Sequence, residues 1–346
     1  MKTGGLKSIG GEFEYQNNEI KKQSRLGKKI FNLKKNFTIN GISAFFQICE
    51  ILKKEGINEI YIPAFICDCL ITPILKSKIK IKFYSLNKNY KFKIIQKKNI
   101  AYLVIHYFGI ENNIIKILKK KKIEFVEDVS HIYLNKNFNF NRQNKYFFSL
   151  RKHGYIGAGG YTNINYNLKR ISKNNKLLEE NISLRKKKKL FIDNDTFREN
   201  DIYFLKKFKK INKKFLSTIS EKKLQKKYYK NILNYNFEYY RAKRLENWNY
   251  LNKNLDGKFK TFHQSVSVNC VPLGYTILTN NRNKFKNYLT KKRIFTGIHW
   301  PLIKKLNKKK FKFEKNLSKT ILTIPTDHRY DIDDMKYIVN TIKKFK

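Results

Sequence analysis

The sequence predicts an α/β chain built on a mainly parallel central sheet, with a smaller α+β unit toward its C-terminal end. Three observations predict it. From about residue 40, short runs that are apolar on both faces alternate with longer helical runs; that alternation stops near residue 170; and the tail then mixes a β-like run with amphipathic helices. Strands buried on both faces and separated by helices imply βαβ units with right-handed crossovers. The division expected is an N-terminal arm over 1–36, a large α/β domain over 37–235 and a small α+β domain over 236–346.

In order along the chain, NGISAFFQICEILKKEG reads as a turn entering a helix that carries Phe45, Phe46, Ile48, Cys49, Ile51 and Leu52. NEIYIPAF reads as a strand and CLITPILKS as a helix. IKIKFYSL and IAYLVIHYFG are strands, ENNIIKILKKKK is a basic amphipathic helix, and IEFVEDV, KYFFSL and YTNINY are strands again. After residue 170, the polar segment ISKNNKLLEENISLRKKKK reads as a lead-in to helical stretches, of which NFEYYRAKRLENWNYLNKNL is the clearest. The tail holds the β-like run CVPLGYTILT, the helix NKFKNYLTKK and a last helix in DIDDMKYIVNTIKKF. No internal repeat is visible.

Composition excludes several classes. At 346 residues, 41% hydrophobic and 15% aromatic, the chain can bury a large core. No apolar run approaches the ~20 residues that cross a bilayer. MKTGGLKSIGGEFEYQ lacks the apolar segment of a signal peptide, so a cytoplasmic protein is expected. Cys49, Cys67, Cys69 and Cys270 form neither a CxxC ligand pair nor a dense disulfide framework, and are expected as free thiols. No two of the six histidines are three to five apart, so no metal is expected.

The net charge of +50, from 76 Lys and Arg against 26 Asp and Glu, brings nucleic acid to mind first. The basic residues are mostly Lys, the poorer planar reader of phosphate, and they are spread along the chain. Lys, Asn and Ile are enriched together, which reads as a coding bias toward AT-rich codons. A functional cationic surface, whose binding would be strongly salt-dependent, is the alternative.

In open α/β sheets ligands bind beyond the carboxyl ends of the strands, and three places there carry chemistry. Asn40-Gly41-Ile42-Ser43-Ala44 opens a helix whose free amides can hold a phosphate, or it is a plain N-cap. Asp128 closes the run IEFVE with His131 three residues on. A carboxylate there can pair with a protonated ring nitrogen, or cap a helix. Lys152, in SLRKHGYIGAGG, follows one strand and precedes a glycine-rich turn with Gly157, Gly159 and Gly160. An apolar, glycine-lined setting can desolvate its amine, as a Schiff-base lysine requires; a surface cation is the ordinary alternative.

The motifs NGISA, EDVSH and KHGYIGAGG, in that order, resemble those of the DegT/DnrJ/EryC1/StrS family of sugar aminotransferases that depend on pyridoxal 5'-phosphate (PLP). IPAFICDC, VIHYFG, GIHWPL and LTIPTDHRYDIDDM resemble further family segments, and the resemblance runs from about Gly10 to the C-terminus. It implies the type I fold of PLP-dependent transferases, similar to aspartate aminotransferase. It further implies that Lys152 carries the cofactor, that Asp128 contacts the pyridine nitrogen and that His131 approaches the phenolic oxygen. Gly41, Ile42 and Ser149 are the candidates for the phosphate, and His299 and Trp300 for the substrate side.

The chain also departs from the pattern. Ile42 stands for the usual Thr or Arg, Cys67 stands where an aromatic ring often stacks on the cofactor, leaving Phe65 as a substitute, and the Gly-x-Asn-x-Arg segment is missing. His153, next to Lys152, brings to mind relatives that replace the lysine by His and dehydrate their substrate. Amination of a keto-sugar nucleotide for cell-surface polysaccharide, with glutamate as amino donor and a homodimer as the working unit, is what the resemblance implies. A PLP-fold protein with degraded catalysis, or a binder of nucleic acid or anionic surfaces, are the readings from other classes.

Overall fold

The computed structural model describes residues 8–16, 24–33, 36–86, 94–155, 159–166, 175–194, 197–303, 306 and 309–345. Gly157 lies outside the described residues. The chain enters through the two-residue strand β1 (Ile9–Gly10) and helix α1 (Arg25–Asn32). It then builds β2 (Phe37–Thr38), α2 (Gly41–Lys54), β3 (Glu59–Pro63), α3 (Ile71–Lys76), β4 (Lys80–Tyr84), β5 (Ile100–Ile105), α4 (Ile114–Lys120), β6 (Glu124–Asp128), β7 (Lys145–Ser149) and β8 (Gly160–Thr162). These strands form one seven-stranded sheet in the order β2-β8-β7-β6-β5-β3-β4. The ladder from β4 through β7 is parallel, and β8 and β2 are added antiparallel at one edge.

The parallel part follows from the side chains. All six residues of β5, IAYLVI, are buried, as expected of a strand covered on both faces. One apolar cluster joins the sheet to α2, α3 and α4 through residues such as Phe45, Ile48, Leu52, Ile74 and Leu118; another, with Tyr133, Phe148 and Tyr229, covers the β7–β8 end. Because β3, β5, β6 and β7 run the same way, the residues that follow them, Cys67, Tyr107, Asp128 with His131, and Ser149 with Lys152, gather along one edge.

Two close approaches set the entry to α2. A Cβ on Gly160 would lie 2.3 Å from the carbonyl oxygen of Asn40, and a Cβ on Gly41 would lie 3.1 Å from Ser149 Cβ. Asn40 caps the helix, accepting from the Ser43 amide at 2.8 Å, while its Nδ2 donates to the carbonyls of Phe215 and Thr218 at 2.8 and 2.9 Å.

From Lys176 onward, the segment expected as a polar lead-in instead starts a helical hairpin, α5 (Lys176–Asp193) and α6 (Phe197–Ser217); its first residues, 171–174, lie outside the described ones. Its polar residues misled the periodicity because several are buried. Asn181, Arg185 and Lys188 face inward, and Arg185 Nε donates to Asn181 Oδ1 at 2.8 Å. The remaining elements are α7 (Phe237–Leu255), β9 (Lys260–Thr261), β10 (Tyr275–Leu278), α8 (Arg282–Lys291), β11 (Ile294–Phe295), α9 (Lys312–Thr320), β12 (Ile321–Ile324) and α10 (Ile332–Lys343). A three-stranded antiparallel sheet, β12-β10-β9, has its own core with Trp248, Leu251, Phe285, Leu289, Met335 and Ile338. The first segment returns here: β1 pairs in parallel with β11, Ile9 opposite Ile294. Among the described residues no helix is long and apolar enough to cross a membrane.

A side chain at Gly160 would collide with backbone, which yields less readily than a side chain. Gly160→Ala is expected to lower stability by about 1–3 kcal/mol, read as a lower urea midpoint at unchanged slope.

Candidate active site

The carboxyl edge of the parallel strands opens into a cavity of about 280 Å³. Gly41, Ile42, Cys67, Asp128, His131, Ser149, Lys152 and Trp300 all line it. A neighbouring cavity of about 430 Å³ shares Glu12, Arg151, Lys152 and Asn212 with the first and includes His299. Lys152 thus stands where the two meet.

Lys152 ends a 3₁₀ turn over Leu150–Lys152. The turn is held from several directions. The Ser149 amide donates to Ser130 Oγ at 3.2 Å, the Leu150 amide to the Gly159 carbonyl at 3.0 Å, and Tyr133 Oη to the Leu150 carbonyl at 3.1 Å. On its far side Arg244, fully buried on α7, donates from Nη2 to the His153 carbonyl at 2.9 Å. Burial brings that guanidinium down to about 10, against the pull of Asp327.

Asp128 is the last residue of β6, and its Oδ1 accepts from the Ser130 amide at 3.0 Å. Burial raises its pKa above the ordinary carboxylate value, while the Ser130 hydrogen bonds and the nearby Lys152 charge act the other way. His131 accepts from the Phe108 amide at Nδ1, 3.2 Å, so the proton of the neutral ring sits on Nε2. Burial, and then the Lys152 charge, hold its pKa well below the usual imidazole value. Its ring stacks on Trp300 and on Phe108, each with centroids 6.0 Å apart.

The phosphate candidates come together as well. Gly41 and Ile42 are the first residues of α2, where backbone amides lack intrahelical partners, and Ser149 lies against Gly41. Phe65 behaves otherwise: it is buried outside the cavity lining and packs against Tyr107 and Trp300 at 5.9 and 5.6 Å. The aromatic wall is Trp300. His299, next to it, lines the larger cavity, with Nδ1 3.0 Å from Thr323 Oγ1; burial and the Lys152 charge push it down to about 3. His153 lines neither cavity; its buried ring lies edge-on to Tyr133, centroids 5.3 Å apart. Lys152 therefore faces the cavity, while its neighbouring histidine packs behind it.

Sequence reasoning missed Glu12, Ser130, Arg151 and Asn212. Burial acts to raise the Glu12 carboxyl, but Arg185 and Arg151 outweigh it and bring the group down to about 2. Arg185 Nη2 lies 3.0 Å from Glu12 Oε2, and Asn212 Nδ2 donates to Oε1 at 2.7 Å. Glu14 is likewise brought to about 2, against burial, by Arg329 and Lys188. The sequence signal was faint: an acidic GEFEY stretch in a chain with few acids. Among the described residues no group of three or more His, Cys, Asp and Glu side chains is placed to hold a metal.

The fold is that of type I PLP-dependent transferases, and solved structures that share it include sugar aminotransferases. Helicobacter pylori PseC, an aminotransferase involved in the biosynthesis of pseudoaminic acid, superposes with a TM-score of 0.67 at 13% identity, over 98% of this chain and 99% of its own. The PLP form of the putative sugar aminotransferase Spr1654 from Streptococcus pneumoniae gives 0.66 at 12% identity, over 96% and 92%. The sugar aminotransferase CalS13 from Micromonospora echinospora gives 0.63 at 12%, over 97% and 94%. At these identities the likeness is one of fold. No protein-family model matches the chain, and no curated sequence matches it.

These shifts predict an acid-sensitive fold. His131, His299, His328 (about 3) and His263 (about 4) have folded pKa values below their usual 6.5, mainly through burial, so the unfolded chain takes up protons first. Glu12 and Glu14, lowered from 4.5, act with the same sign. Stability should therefore fall as pH drops below about 6.5, and more steeply from about 4.5 toward 2. Asp128, raised, works in the opposite sense but is one group. Urea midpoints between pH 7.5 and 2 read this out, and Glu12→Gln should flatten the limb below about 4.5.

Proposed function

We propose that the chain is a PLP-dependent aminotransferase that aminates a keto-sugar nucleotide, with an amino acid, glutamate, as donor. The observation that carries this reading is one cavity lined together by Lys152, Asp128, His131 and the start of α2.

The residues fit PLP by their chemistry. The cofactor presents an aldehyde, a pyridine nitrogen, a phenolic oxygen and a phosphate; the cavity offers an amine, a carboxylate, an Nε2–H and unpaired helix amides beside a serine hydroxyl. Ile42, which has no polar side chain, would serve through its backbone N–H, and the α2 N-terminus favours a negative charge there. Trp300, flat against His131, would bound one side of the ring. When bound, PLP supplies an electron sink for a carbanion at the substrate's Cα.

This chain's own groups would do the rest. Asp128 would keep the proton on the ring nitrogen, its burial making that charge pairing strong. Lys152 would hold the cofactor covalently and, once displaced, move the proton between the substrate carbon and the cofactor carbon. His131, neutral, would donate from Nε2 without adding positive charge beside Lys152. In the larger cavity Arg151, Lys209 and His299 would meet the sugar nucleotide, whose diphosphate suits the two cations. A homodimer in the cytoplasm, serving cell-surface polysaccharide synthesis, completes the proposal.

Purified protein should be yellow, and borohydride should fix the cofactor to the peptide containing Lys152. Lys152→Ala should abolish both that bond and turnover; cofactor fixed to another lysine, or an unchanged rate, would refute the assignment. Cofactor absorbance that does not respond to glutamate, with no transfer to any keto-sugar nucleotide, would leave a PLP-fold protein with degraded catalysis.

Asp128→Asn should still bind PLP covalently at Lys152 yet lose roughly 10²–10³-fold in rate, the range for removing one electrostatic partner from a dry site. Single-turnover absorbance changes after adding glutamate measure it.

A further inference from the structure

The cavity wall holds a second reactive group that the proposed transamination does not use. Cys67 and Cys69 flank Asp68 at the start of a 3₁₀ turn over Asp68–Leu70, closed by the Leu70 amide donating to the Cys67 carbonyl at 3.1 Å. The turn brings the two Sγ atoms to 2.9 Å, in a thiol–thiol hydrogen bond. Residues two apart in a turn are well within the ~7 Å between Cα atoms that a disulfide tolerates. Both thiols line the cavity and are only partly buried, whereas Cys49 is sealed in the core.

We propose that Cys67 and Cys69 form a reversible dithiol–disulfide site in the cavity wall, oxidised by a low-molecular-weight disulfide such as glutathione disulfide. The Cys67 thiolate attacks one sulfur of the reagent, forming a mixed disulfide and expelling one thiolate. That thiolate takes the proton of Cys69. The Cys69 sulfur then attacks the Cys67 sulfur, breaking the mixed disulfide and expelling the second thiolate. Two protein thiols are oxidised by two electrons, and the reagent is reduced to two thiols.

The surroundings assign the order of attack. The hydrogen bond from Cys69 outweighs burial and, with the Lys152 charge, brings the Cys67 thiol down to about 7, although Asp68 opposes. Cys69, as the donor in that bond and by burial, is held well above the usual thiol value. A nucleophile with a pKa near ambient pH and a resolving thiol beside it is what exchange chemistry uses. Cys270 is raised by burial, and Cys49 well above its usual value, so both should react slowly. The chemistry needs no cofactor, so it stands or falls separately from the proposed function.

The test exposes the reduced full-length protein to glutathione disulfide at pH 7 and maps thiols by mass spectrometry. The expected result is loss of two thiols, an internal disulfide in the peptide spanning Cys67 and Cys69, and recovery with dithiothreitol. Cys69→Ser should stop at a glutathione adduct on Cys67, formed at least tenfold faster than any on Cys270. A persistent glutathione adduct on the unmutated protein, or Cys270 reacting before the pair, would overturn the proposal, and the mapping of unmutated protein decides even if the variant fails to fold.

Discussion

The site depends on the passage of Gly160 against Asn40. At 2.3 Å from a would-be Cβ to the Asn40 carbonyl oxygen, there is room for backbone alone. That contact joins β8 to the start of α2 and brings Gly41 over Ser149. The start of α2 thereby faces the same space as the ends of β6 and β7. The Asn40 side chain completes the joint by capping α2 and holding the end of α6 through two carbonyls. One backbone crossing thus aligns a helix N-terminus, a carboxylate and a lysine that lie on three different elements.

Charge is distributed by a second logic. The chain carries 76 basic residues against 26 acidic ones, so buried cations compete for few counter-ions. Several of the acids are spent inside. Glu12 meets Arg185, Glu14 meets Lys188 and Arg329, and Asp327 pairs with Arg329. Such pairs are retained where removing one partner would strand the other, a cost of about 3–5 kcal/mol. They also tie the first described segment across the larger cavity, where Glu12 and Phe13 form part of the lining.

Within the cavity, burial sorts the protonation states. His131 is kept neutral with its proton on Nε2, and Asp128 is pushed up, so a cationic partner would draw it back toward the carboxylate. The aromatic layer of Phe108, Trp300 and His131 keeps water from this corner, and Phe65 supports it from behind through Trp300. Ring and carboxylate are thereby prepared for complementary tasks by the same desolvation.

The sequence by itself determined the alternation of strand and helix and the residues that close each strand, because both are local. A run apolar on both faces, such as IAYLVI, can be satisfied only inside a covered sheet, and Asp128, Ser149 and Lys152 were legible as strand-end residues beside a glycine-rich turn. Helix α5 was not legible, since its buried Arg185 and Lys188 look solvent-facing until their partners are known. Only the tertiary structure decided that Trp300, not Phe65, walls the cavity, that His153 lies behind Lys152, and that Glu12 meets Arg185 across 173 positions. Two thiols two positions apart were visible as letters, but their 2.9 Å contact depends on a turn set by the packing around it. Periodicity reports which face of an element is buried; it carries no record of what a distant segment brings to that face.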